Sequence, residues 1–275
     1  MKSSIIESIK SLPPLSKTIA EIDRVFADSE SGVADLAKVI EHDPMIVANL
    51  LKTANSPLYG FGNEIKNVAQ AVSLFGMSMT RSIAVGNAVR KLLNVDMQPY
   101  GITSDDFAEI SSMQATLMTK WYSKIDKAKA EKLYLAAFLQ ETGKILIASD
   151  VIKEDEDVSF KSEVEMSNNL AQVEKSYVGV TSSEVTSKVF EHWGFPKEFV
   201  EMIRFADTPE EAPAEIKEFA TALHIVKTAL PINKPFSEQA INFALRKARD
   251  GGYKYEILED AIDDMLDIIE EEAEV

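Results

Sequence analysis

Residues 133–139 read LYLAAFL, seven apolar side chains in succession, and no other feature limits the fold as strongly. At 3.6 residues per turn the run covers every side of a helix, so that helix must be buried all round by other elements. Gln140, Glu141, Thr142, Gly143 and Lys144 follow, which carries polar groups into the middle of a core, where each needs a partner or a purpose. The chain is expected to pack its helices around this central one.

The composition favours an all-α class. Eleven glycines in 275 residues are about 4%, against a usual ~7%, and strand-like alternation is scarce. With 45% apolar residues the chain can bury a large core. The absence of cysteine excludes disulfides, thiolate nucleophiles and cysteine zinc sites, and suits a reducing cytoplasm. The N-terminal MKSSIIESIKSLPP has charges and no apolar h-region, so no secretory signal is expected there. A net charge of −16 repels polyphosphates and anionic headgroups, which weighs against nucleic-acid or membrane binding.

Along the chain, Pro13 and Pro14 precede a helix from about Ser16, and a second helix runs to His42. Asp43 and Pro44 then read as the cap and first residue of a third, which stops at Asn55, Ser56 and Pro57. Gly76 is expected to break two helices over 67–75 and 78–93. Pro99 and Gly101 mark a joint between lobes, and Thr103 starts a helix running to about Tyr122. Beyond the central helix, one helix is predicted over 160–177 and another from Thr181 to Gly194, followed by others near 215–230 and 237–249. The last helix buries Ile257, Leu258, Ala261, Ile262, Leu266 and Ile269, and from Gly252 onward ten acids face one lysine. That acidic surface is either solvated or a docking element for a basic partner.

Several stretches together resemble the HDOD family, the HD-related output domains of bacterial signalling proteins: LPPL at 12–15, DPMIVANLLKTANSPLYG at 43–60, AVSLFGMSMTR at 71–81, the central helix, and Gly179 with Trp193, Gly194, Phe195 and Pro196. The resemblance implies a two-lobed multi-helical fold over 12–210, with one helical lobe to about 98 and an HD-like lobe from about 103. Residues 211–275 would form a C-terminal helical extension. It also implies a non-catalytic regulatory protein that binds a protein partner. In metal-dependent HD phosphohydrolases an apolar helix leads into a His-Asp doublet that helps hold a divalent ion. Here those positions are Gln140 and Glu141, and other positions where related proteins keep histidines hold Ser182, Ala206 and Asp207. No histidine lies between Phe107 and Trp121, where the first metal-binding one is expected. Neither a catalytic group, a metal nor a cofactor is therefore expected.

The literal doublet His42–Asp43 reads as a helix end and a helix cap, not as a metal site. His192 and His224 lack a second ligand at helical spacing and read as structural. Gln140, Glu141, Ser182 and Asp207 should approach one another. They form either a satisfied polar cluster or a pocket for a small-molecule ligand. Asp43, Pro44, Asn55, Ser56, Tyr59 and Gly60 make a family-like motif whose expected work is to shape a turn and a helix start. Met77 and Met79 are either core or an adaptable recognition surface. The alternatives to the binding reading are a phosphohydrolase with a rearranged site built on Glu141 and Asp207, and a nucleotide or second-messenger sensor.

Overall fold

A computed structural model describes residues 1–59, 61, 64–92 and 96–273. Every regular element among them is helical, which makes the fold all-α. The first five helices are α1 (Ser3–Lys10), α2 (Lys17–Ala27), α3 (Val33–Glu41), α4 (Pro44–Ala54) and α5 (Val68–Leu92). The central group is α6 (Ser104–Tyr122), α7 (Lys127–Leu139), α8 (Gly143–Lys153), α9 (Asp157–Met166) and α10 (Leu170–Val178). The chain closes with α11 (Ser182–His192), α12 (Lys197–Arg204), α13 (Ala214–Ala229), α14 (Glu238–Asp250) and α15 (Tyr255–Ala273).

Local chemistry sets most of the boundaries. The Asp43 side chain accepts from the amides of Met45 and Ile46, and Pro44 occupies the first turn of α4, where its missing N–H costs nothing. Asn55 closes that helix. Its Nδ2 donates to the carbonyls of Leu51 and Ile65, and its Oδ1 accepts from the Ile65 amide, so one side chain staples both ends of the intervening turn. Gly76, with φ 76° and ψ 168°, bends α5 through a conformation available essentially to glycine. Met77 and Met79 beside it are half-buried against the core.

All seven residues of 133–139 are buried, as a helix apolar on every side requires. Each large side chain among them contributes about 1.5–3 kcal/mol by leaving water. Helix α7 lies against α5, α6, α12 and α13 and so joins the two halves of the chain. At its edge Tyr59 and Tyr134 bring their hydroxyls to 3.1 Å.

The predicted helix over 160–177 is in fact two, α9 and α10, separated at residues 167–169. Ser167 accepts from the Asn169 amide and Asn169 caps α10 by accepting from Gln172, so short polar side chains win the backbone over from helix continuation. In the joint expected at 94–102, residues 94 and 95 lie outside the described residues, and a 3-10 turn over Gln98–Tyr100 buries Tyr100 completely. Helix α1 packs on α8 and α11, where Lys2 pairs with Asp150 and Glu156. Helix α15 docks on α6, α14 and the turn at 57–59, burying Met265 together with Leu258, Ala261 and Ile262. Met265 was absent from the core face expected for this helix, while Ile257, Leu266 and Ile269 are only half-buried.

Candidate functional site: a buried network of carboxylates and lysines

Where α7 ends and α8 begins, Gln140 and Glu141 are buried among α6, α11 and α13. Gln140 turns away from the other predicted residues. Its Nε2 donates to Gln114 Oε1 at 2.9 Å, and Gln114 Nε2 donates in turn to Glu141 Oε1 and to the Leu230 carbonyl. Gln114 stands within the α6 stretch 107–121, where a first metal-binding histidine is expected in the HD superfamily.

Glu141 faces two ammonium groups. Its Oε2 lies 3.1 Å from Lys144 Nζ and 3.6 Å from Lys227 Nζ. Lys144, itself 1% exposed, also pairs with Glu174 at 2.5 Å and donates to Ser182 Oγ at 2.8 Å, which uses its three protons. Glu174 is held further by the Tyr100 hydroxyl and by the Ser182 amide. Lys227, from α13, pairs with Asp207 at 2.8 Å and donates to Ser183 Oγ at 3.0 Å. Glu141, Ser182 and Asp207 are thus brought together around two lysines, with Gln140 at the edge. Sequence reasoning missed Lys227, Glu174 and the part played by Lys144.

Burial opposes ionisation of Asp207 and Glu141, but Lys227 and Lys144 outweigh it and hold both carboxyls below their ordinary values. The same pairing overcomes the burial of Lys227 and holds its ammonium above the usual lysine value. Ser182 is fully buried, with its Oγ 2.8 Å from Lys144 Nζ and 3.4 Å from Lys227 Nζ.

A divalent ion does not fit this residue set. Its place between Glu141 and Asp207 is taken by the Lys227 ammonium, and the neutral Gln140 amide is committed to Gln114. Among the described residues no three His, Asp or Glu side chains converge as a coordination shell.

The three histidines stand apart from any such shell. His42 ends α3 exposed, and His192 Nε2 lies 3.3 Å from the Leu12 carbonyl. His224 lies beside the network, where its Nδ1 donates to the Ala206 carbonyl. Of the family-like motif, Asp43, Pro44 and Asn55 do the backbone work described above, Ser56 opens the turn whose 3-10 helix ends at Tyr59, and Gly60 lies outside the described residues.

Burial, with the charge of Lys247, lowers His224 from 6.5 to about 4, against the opposing pull of Asp207. The unfolded chain therefore binds a proton between these values that the folded chain refuses, so stability is full above about pH 6.5 and falls as pH drops toward 4. At about 1.4 kcal/mol per pH unit between these values this amounts to about 3.5 kcal/mol. Urea titrations of the protein and of His224→Gln between pH 7 and pH 5, above the range in which Asp207 and Glu141 lose their contribution, should show that slope only with the histidine present. Equal slopes would refute it.

The family model for the HDOD domain matches residues 12–209. Among solved structures, a virulence factor of Campylobacter jejuni is 26% identical with a TM-score of 0.57, the alignment covering 94% of this chain and 92% of that one. A proposed phosphohydrolase of Shewanella amazonensis is 20% identical at 0.73, covering 95% and 94%. A proposed signal-transduction protein of Marinobacter aquaeolei is 21% identical at 0.71, covering 99% and 61%. The chain spans 42% of the length of an uncharacterised curated relative from Treponema pallidum, to which it is 20% identical over 224 residues.

Proposed function

The chain belongs to the HDOD family, and on that premise we propose that it is a non-catalytic regulatory protein of a signalling pathway, acting by binding a protein partner in the cytoplasm. The observation that carries this reading is the Lys227 ammonium lodged between Asp207 and Glu141, at 2.8 and 3.6 Å. An ion-assisted hydrolase needs a divalent cation there to polarise phosphate and to lower the pKa of bound water. A resident ammonium supplies neither function and repels the ion that would. The alternative, a phosphohydrolase rearranged around Glu141 and Asp207, would first have to evict that lysine from its carboxylates.

The rest of the chain suits a binding role. None of the described helices is long and apolar enough to cross a membrane, and the net charge of −16 disfavours nucleic acid as a partner. The docking of α15 on α6 and α14 leaves its acidic face outward, with Lys120 reaching Asp264 at 3.9 Å.

Elemental analysis of the purified protein tests the non-catalytic part. Substoichiometric transition metal, and no phosphatase turnover that chelator abolishes and added ion restores, is expected. Stoichiometric Mn, Fe, Ni or Zn that is lost in Glu141→Ala would overturn the reading. Crosslinking capture from the cells that express the chain should reproducibly recover a protein partner, and its absence there would count against the interaction.

A further inference from the structure

A cavity of about 470 Å³ borders the lysine and carboxylate network and is lined also by residues of α13, α14 and the α9–α10 turn. That volume is in the range of small-molecule sites. Glu141, Lys144, Asp207 and Lys227 of the network form its floor. Asp207 borders the cavity with a side chain still 8% exposed, while that of Glu141 is 2% exposed and held by its ion pairs. His224 borders it too, and since Nδ1 is spent on the Ala206 carbonyl, Nε2 of the neutral ring remains an acceptor. A floor of acceptors around an ammonium calls for neutral donors, above all hydroxyl groups.

The mouth has the opposite character. Lys247 and Lys234 border it, and neither has a carboxylate partner among the described residues: Lys234 reaches only the Glu165 carbonyl, and no ion pair involves Lys247. Glu210 is the one acid beside them on the cavity wall outside the floor. The starts of α10 and α14 also border the cavity, with Asn169 and Ser237 accepting from the Gln172 and Ala240 amides. Phe243 adds an apolar ring to the lining. In a chain of net charge −16, two lysines left without carboxylates at the lip of a cavity make an anion site.

We propose that this cavity binds a polyhydroxylated organic anion, a sugar phosphate or sugar acid, with its hydroxyls on Asp207 and His224 and its anionic group between Lys234 and Lys247. The site binds without turnover. It rests on the lysine-filled floor described above and not on the existence of a protein partner, so failure to bind such a ligand leaves the partner reading standing.

Titration calorimetry of the full chain with ribose 5-phosphate, gluconate, ribose and inorganic phosphate tests it. Ribose 5-phosphate or gluconate should bind with a Kd below about 1 mM and roughly tenfold or more tighter than ribose or phosphate alone. The tighter of the two identifies the anionic group. The double variant Lys234→Ala/Lys247→Ala, which removes one exposed and one half-buried lysine, should weaken that binding roughly tenfold or more while its far-UV circular dichroism stays that of the parent. The proposal is overturned if neither organic anion binds below about 1 mM, if phosphate alone binds as tightly, or if the double variant binds as well as the parent.

Discussion

Replacing Lys227 by alanine should destabilise the protein by about 3–5 kcal/mol, the usual cost of leaving a buried charge without its partner. The side chain is 12% exposed, and its ammonium lies 2.8 Å from Asp207 and 3.6 Å from Glu141 and donates to Ser183. Once it is gone, three buried carboxylates face the single ammonium of Lys144. Lys227→Met separates charge from packing, because methionine refills most of the volume; a loss close to that of alanine assigns the effect to charge. The penalty must also depend on pH. In the parent, Asp207 and Glu141 lie below their ordinary values of 3.8 and 4.5, so their contribution is present above about pH 4.5 and is lost as pH falls through the folded values. In the variant the same carboxyls, buried and short of a cation, take up protons at higher pH and relieve their own penalty. The gap between parent and variant in denaturant titrations should therefore narrow from pH 7 to pH 4. A gap under about 1 kcal/mol, or one constant across that range, would show that the lysine does not hold the site together.

The pattern of side chains along the chain revealed where helices lie and which faces they bury. The run at 133–139, the Asp43–Pro44 cap and the break at Gly76 each depend on residues within a few positions of one another, so local spacing was enough. Two features were not visible in that way. The split of the predicted 160–177 helix depends on Ser167 and Asn169 bonding nearby amides, a competition that periodicity does not weigh. The site depends on pairs far apart in sequence, Lys144 with Glu174 and Lys227 with Asp207, which no local window contains. One signal did exist. Lys227 falls four residues after Leu223 and three before Leu230, both fully buried, so it stands on the core stripe of α13. A lysine at a core position demands a buried acid, and Glu141 and Asp207 were the acids already placed in that core.

The same floor depends on a backbone contact that a single methyl group would break. Gly143 opens α8 against α11, where its amide donates to Thr186 Oγ1 at 2.8 Å. A Cβ there would drive into the Ser182 carbonyl oxygen and crowd the Thr186 amide nitrogen, both of them backbone atoms that cannot rotate away. Relief requires α8 and α11 to move apart, and that movement pulls Ser182 from Lys144 and Lys227 while stretching the Gly143–Thr186 bond. Gly143→Ala is therefore expected to cost about 3 kcal/mol or more, the upper range for overpacking a closed core. Gly32→Ala is the control, since nothing lies within 4 Å of a Cβ placed there; as a helix cap position it should lose no more than about 1 kcal/mol. Denaturant unfolding of both variants measures the difference. Equal losses would mean that the α8–α11 approach tolerates a side chain, and that the two lysines are held in register by their carboxylates alone.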